Sequence, residues 1–248
     1  MNDVKNSVAV QSWCFRAFKD NSQVVDLLKK AGATGIELSG KHANFNDEST
    51  FDSVISQFKS AGIQIVSIGV EGYRGDEASF EKRCKFVKMA GAKRMAVSFA
   101  PEDHLNSIKM IEKYAEKYDI YCGIHNHGGY DWLGSREILA YIFKHAGKRL
   151  GLELDTAWAM DSGENPIEMA EQFVDRLYGV HFKDFVFDRA GRGHDVIIGE
   201  GNLDLKKMVE LVKTKAPEGC ISVIEYEADV NNPGPAVAKC VQAIQSAA

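Results

Sequence analysis

Short apolar runs alternate with longer amphipathic stretches along the chain. The apolar runs are Val8–Trp13, Thr34–Leu38, Ile63–Val70, Arg94–Ser98, Ile120–Ile124, Leu150–Asp155, Leu177–Asp184 and Ile221–Glu227. Runs this short and this continuous read as strands covered on both faces. Between them, apolar residues recur at helical spacing: Val24, Leu28 and Ala31; Phe51, Val54, Ile55 and Phe58; Ile108, Ile111, Ala115 and Tyr118. Each set falls on one side of a helix. Four amphipathic stretches end on the same form, Lys-x-Ala-Gly, at Lys29–Gly32, Lys59–Gly62, Lys88–Gly91 and Lys144–Gly147. A lysine in the last turn meets the negative end of the helix dipole, and the glycine takes the left-handed position that stops the helix. The glycines are 30, 29 and 56 residues apart, the last gap being two units, so one strand, one helix and two loops repeat about every 28–29 residues.

Strands alternating with helices imply parallel pairing through right-handed crossovers. Eight such units in 248 residues predict an α/β fold of the (β/α)8 TIM-barrel type, a single domain over residues 1–248. An open doubly wound sheet is the alternative, but its Gly-rich phosphate loop is missing: Gln11-Ser12-Trp13-Cys14-Phe15 after the first strand holds no glycine. No stretch rich in Pro, Gly or Ser marks a linker. A net charge of -5 and a pI near 5.8 argue against a nucleic-acid partner. No apolar run reaches the roughly 20 residues that cross a bilayer, so no membrane partner is expected. Met1–Ser7 is polar and lacks the apolar core of a signal peptide, which suggests a cytoplasmic location, a removed leader staying open. Cys14, Cys84, Cys122, Cys220 and Cys240 are odd in number without CxxC spacing, and read as buried thiols rather than disulfides or a thiolate zinc site.

In a barrel of this kind chemistry sits at the C-terminal strand ends, and polar residues gather there. The first strand ends in Gln11-Ser12-Trp13, the second in Glu37-Leu38-Ser39, and the third runs into Glu71. The fifth ends in His125-Asn126-His127, the sixth in Glu153-Leu154-Asp155, the seventh in His181-Phe182-Lys183-Asp184 and the eighth in Glu225-Tyr226-Glu227. Residues two apart in a strand share a face, which pairs His125 with His127 and His181 with Lys183. His125, Asp155, His181 and Glu225 stand on four consecutive strands. Four compact nitrogen and oxygen donors suit Mn2+, Zn2+, Co2+ or Mg2+ better than Ca2+. The segment from Phe185 to Asn202, with His194 and Glu200, is long for a strand–helix connection and reads equally as a solvated loop or as a flap over substrate.

At these residues the chain resembles the xylose-isomerase-like TIM-barrel family of sugar phosphate isomerases and epimerases. Leu154-Asp155-Thr156, Val180-His181-Phe182-Lys183-Asp184, Gly199-Glu200-Gly201-Asn202-Leu203-Asp204 and Ile224-Glu225 carry the resemblance, with Val10-Gln11-Ser12-Trp13 like the family's first strand. The family holds a divalent metal with Glu, Asp, His and Glu on strands five to eight. Asp155, His181 and Glu225 match by type, whereas His125 stands for the first Glu. Trp158 stands where the family often has a His three residues after the sixth-strand Asp. The resemblance implies enediolate chemistry on a ketose or related carbohydrate, with Glu225 moving the proton and Lys183 placing positive charge near the substrate oxygen. The same resemblance suggests Gln11, Trp13, Glu71, His127, Trp158, Lys183, His194 and Glu200 as substrate contacts, Trp13 and Trp158 by stacking on a sugar face.

With His125 in place of a second metal-bound carboxylate, proton transfer on both faces of the substrate loses one base. One-base isomerisation and β-elimination on a keto-sugar or keto-inositol remain. A non-catalytic carbohydrate-binding barrel has no need for Glu225 beside the ligands, and a multi-metal nuclease needs more ligands and more positive charge. The partner expected is a small sugar, and a homo-oligomer stays open.

Overall fold

The computed structural model describes residues 1–248. Eleven strands form: β1 (Val8–Gln11), β2 (Gly35–Leu38), β3 (Gln64–Ile68), β4 (Glu71–Tyr73), β5 (Arg94–Phe99), β6 (Tyr121–His125), β7 (Leu150–Asp155), β8 (Leu177–Phe182), β9 (Asp184–Phe187), β10 (Gly193–Val196) and β11 (Ile221–Ile224). Nine of them make one parallel sheet in the order β3-β2-β1-β11-β8-β7-β6-β5-β4. β4 begins just past the end of the predicted third strand, Ile63–Val70; with β3 bonded to β2 and β4 to β5, the nine segments make the nearly closed (β/α)8 barrel that the repeat implies. Between them Gly69 passes so close to Ala96 that a side chain would collide with it. Strands β1, β2, β7 and β8 are buried along their full length, which is why they read as unbroken apolar runs.

The helices are α1 (Asn21–Ala31), α2 (Phe51–Ser60), α3 (Glu77–Ala90), α4 (His104–Tyr118), α5 (Arg136–His145), α6 (Thr156–Asp161), α7 (Pro166–Gln172), α8 (Leu205–Thr214) and α9 (Gly234–Ala247). Gly32, Gly62 and Gly91 follow α1, α2 and α3 with φ of 76°, 77° and 76°, as the Lys-x-Ala-Gly reading requires. The fourth copy behaves differently. α5 leaves through Ala146 in extended backbone, and Gly147 instead makes room for the Glu112 carboxylate, 2.8 Å from where a Cβ would lie. α4, which has no Lys-x-Ala-Gly ending, stops at Asp119 with φ of 54°, an acidic residue doing what glycine does elsewhere. At the N-terminal end of the barrel Arg94 is buried between the rings of Tyr121 and Tyr178, 4.6 and 5.1 Å from their centres, and closes that end.

Several predicted strands end earlier than their apolar pattern suggested. β1 stops at Gln11, whose side-chain oxygen accepts the Trp13 N–H and turns the chain into a short 3-10 segment, Ser12–Phe15. β11 stops at Ile224, so Glu225 and Glu227 lie beyond the ladder. The long segment after β8 folds into an antiparallel hairpin, β9 with β10. Asp184 fastens its return: Oδ2 accepts the N–H groups of Gly199 and Gly201, and Oδ1 that of Leu203. No helix is long and apolar enough to cross a membrane.

Candidate metal centre and active-site cleft

The four donor candidates come together because their strands are neighbours in register. Asp155 lies beside His181, His181 beside Val223, and His125 beside Glu153. His125 Nε2 stands 3.0 Å from His181 Nδ1 and 3.8 Å from both Asp155 Oδ2 and Glu225 Oε2; His181 Nδ1 is 3.3 Å from Glu225 Oε2. All four donor atoms fall within 4.8 Å of one another, comparable with twice a metal–ligand bond of about 2.0–2.3 Å.

Asp155 tests whether a cation fits. Its Oδ1 accepts the Trp158 N–H and caps α6, while Oδ2, fully buried, has no hydrogen-bond partner. A buried carboxylate oxygen left bare is costly unless a cation satisfies it. Asn126 locks the same residue through both backbone groups, its Oδ1 accepting the Asp155 N–H and its Nδ2 donating to the Asp155 carbonyl. The donor set of two imidazoles and two carboxylates therefore fits a divalent ion.

Below the cluster lies a second layer that the sequence did not reveal as part of the site. His181 turns Nε2 to Glu37 Oε1 at 2.9 Å and to Glu153 Oε1 at 3.3 Å, and Gln11 donates to the same Glu37 oxygen at 2.6 Å. A carboxylate behind a histidine fixes which nitrogen carries the proton and leaves Nδ1 free for the cluster. Burial and the neighbouring Glu37 push Glu153 up to about 8, so it keeps its proton. Burial opposes charge on Glu37, but His181 and its hydrogen bonds outweigh this and hold it below the carboxylate range. Burial and the facing His181 push His125 down to about 3, a neutral imidazole able to offer a lone pair. Glu225 is also opposed by burial, yet the Lys183 ammonium beside it outweighs this and holds it well below its ordinary value and ionised.

Lys183 is fully buried and ion-paired to Glu227; its Nζ stands 3.8 Å from Glu225 and 4.8 Å from the centre of the Trp158 ring. Burial disfavours its charge, but Glu225, Asp155 and Glu227 hold it protonated, well above the usual lysine range. It is a fixed positive charge rather than a proton carrier. Glu227 joins it to the rim by accepting the Trp13 indole N–H at 3.1 Å.

Over the cluster opens a cleft of about 720 Å3, within the usual range for small-molecule sites. Of the residues expected to touch substrate, Gln11, Trp13, Glu71, His127 and Trp158 line it, and so does Glu225. His127 stacks beside His125, ring centres 4.7 Å apart, although it lies past the end of β6. Lys183 lies beneath the wall. His194 and Glu200 do not line the cleft: the hairpin turns His194 out towards Asp188, at 3.5 Å, and Glu200 faces a groove beside α8 and α9. The antiparallel pairing that fixes their direction has no counterpart in residue spacing alone. Lys41, Arg74 and Glu227 line the cleft without having been singled out; the first two sit in loops whose shape no periodicity reveals.

The description "Xylose isomerase-like TIM barrel" matches residues 25–246. The chain belongs to that family. Among its relatives is an inosose dehydratase of Lacticaseibacillus casei, 22% identical, the match covering 86% of this chain and 84% of that one. A xylose isomerase-like TIM barrel protein of Mycobacterium smegmatis in complex with magnesium has the same fold, with a TM-score of 0.77, 12% identity and coverage of 100% and 99%. A sugar phosphate isomerase/epimerase of Parabacteroides distasonis superposes with a TM-score of 0.75, 17% identity and coverage of 98% and 94%. Within this xylose isomerase-like barrel, His125 occupies the cluster position for which the family resemblance implies a glutamate.

Proposed function

We propose that the protein is a divalent-metal-dependent sugar isomerase that enolises a ketose or related polyhydroxylated ketone, with Glu225 as its proton-transferring group. One observation carries this reading: Glu225 alone both joins the four-donor cluster and lines the cleft. A divalent ion held by His125, Asp155, His181 and Glu225 would supply positive charge to polarise a carbonyl and lower the energy of the enediolate. Lys183 keeps Glu225 ionised against its burial. With Oε2 turned to the cluster, Glu225 takes a proton from the carbon beside the carbonyl and returns it to the neighbouring carbon. Trp13 and Trp158 offer aromatic faces to the apolar side of the sugar ring or chain.

The other cleft carboxylates are engaged. Glu71 is ion-paired to Arg83 and Glu227 to Lys183, so no free second carboxylate faces Glu225. This favours one-base isomerisation over epimerisation between two faces. The inosose dehydratase relative supports a second reading, β-elimination of water after the same proton abstraction. Incubation of the Mn2+-loaded protein with keto-sugars in D2O tests both. We expect deuterium at the carbon beside the carbonyl, and an exchange rate about 10²–10⁴-fold lower in Glu225→Gln once metal content is matched. A product of unchanged mass apart from deuterium means isomerisation or epimerisation, which its NMR spectrum separates, and one lighter by water means elimination. Wild-type exchange in Glu225→Gln with full metal would place the base elsewhere.

A further inference from the structure

We infer that the side of the cleft built from the segments after β2 and β4 is a subsite for an oxyanion, formed by Lys41 and Arg74, and that the substrate is a sugar carrying a terminal carboxylate or phosphate. The inference rests on the enolising reading above and extends it to the substrate's far end.

The charges of the cleft are unevenly placed. The half built from β6 to β11 contributes Glu225 and Glu227, both beside Lys183. The half built from the segments after β2 and β4 contributes Lys41 and Arg74. Neither has a carboxylate partner within ion-pair distance, and the nearby Glu71 is already taken by Arg83. In a chain with 35 acidic and 30 basic residues, two exposed cations without an ion-pair partner on the lining of one cleft attract anions, because a cleft focuses their field.

Arg74 is also held in place. Its guanidinium folds back over Gly72, so that a Cβ there would lie 2.8 Å from Cζ and 2.9 Å from Nη2. Gly72 lines the cleft too, and leaves the space in which the guanidinium rests; Nη1 donates to the Tyr73 carbonyl at 3.2 Å. Its remaining N–H donors keep the fork that meets carboxylate or phosphate through two parallel bonds. Lys41 lies over the Trp13 ring, Nζ 5.3 Å from its centre, and so stands on the aromatic surface offered to the sugar. Ser39 and Ser98 add hydroxyl groups to the same cleft. Bound this way, a sugar places its ketone at Glu225 and its anionic end at Lys41 and Arg74.

Equilibrium binding of three unreactive probes tests the subsite apart from catalysis: sorbitol, gluconate and sorbitol 6-phosphate, titrated calorimetrically into the Mg2+-loaded protein. We expect at least one anionic probe to bind about tenfold or more tightly than sorbitol, with an advantage that shrinks as salt is raised. That advantage should vanish in Lys41→Gln/Arg74→Gln and weaken in Gly72→Ala, which displaces the guanidinium. A preference for sorbitol 6-phosphate identifies a sugar phosphate, and one for gluconate a sugar acid. Equal binding of all three probes, or an advantage that survives the double substitution, overturns the subsite. Anion preference without deuterium exchange on any keto-sugar would leave the subsite standing and overturn the enolising reading.

Discussion

The two oxygens of Asp155 have separate duties, and substitutions can separate them. Asp155→Ala loses the α6 cap, worth about 1 kcal/mol, together with the anionic donor. Asp155→Asn keeps an oxygen for the Trp158 N–H and loses only the charge. We expect the Asn variant to melt near the wild-type temperature without added metal, and both variants to lose bound metal on elemental analysis; stoichiometric metal in either would remove Asp155 from the centre. Asp195, on the hairpin, accepts the Glu227 N–H at 3.4 Å, and burial, opposed by Lys183, pushes it up to about 6. Unfolded it titrates near about 3.9. Between those values the folded state binds more protons, so its ionisation lowers stability as pH rises from about 4 to 6. Asp195→Asn lacks this slope, and denaturant unfolding should show its stability relative to wild type improving from pH 4 to pH 7. The first-layer donors were legible because each stands at the end of an apolar run. Glu37 was not read as part of the site, because its partner, His181, lies three strands away in the sheet and is brought to it only by the curling of the barrel; Glu153, on the strand next to His181, was passed over. Glu153 nevertheless carried a signal: it is two residues before Asp155 and so shares its face.

Elements were legible where their ends had a local chemical cause. Lysine followed two residues later by Ala-Gly marks the ends of α1, α2 and α3 through dipole and left-handed backbone, effects contained within one turn. α4 was read from its stripe, Ile108 to Tyr118, but its end carried no such mark because Asp119 replaces glycine, and strand ends at the rim were overextended because apolar pattern does not register where a ladder stops. The hairpin was beyond reach for another reason: Asp184 ties it down through backbone N–H groups, which are the same in every sequence. Asp184→Ala should free that return. Hydrogen exchange at the Gly199, Gly201 and Leu203 amides should accelerate by an amount equivalent to about 1.5–3 kcal/mol of local opening, and trypsin should cut faster at Arg189 and Arg192. Unchanged protection at those amides would mean that the loop is held by other contacts.

At the scale of the whole molecule, the cluster joins four strands of the barrel, and an ion there should stabilise all of it. A ligand at one hundred times its Kd adds about 2.7 kcal/mol, which for a chain of 248 residues is roughly 5–10 °C in Tm. Chelation should therefore lower the melting temperature by this amount in wild type and leave Asp155→Asn unmoved. The ring itself is not continuous. Backbone bonding runs from β3 round to β4 and stops there; across the junction the covalent chain through Gly69 and Val70 and the close packing of Gly69 on Ala96 take its place. The cleft residues Gly69, Val70, Glu71 and Gly72 all lie at this opening. A closed hoop fixes its own circumference; a split one can widen or narrow at the split without breaking a single rung. The barrel's metal donors are set where the ladder is unbroken, and the cleft residues from Gly69 to Gly72 where it parts.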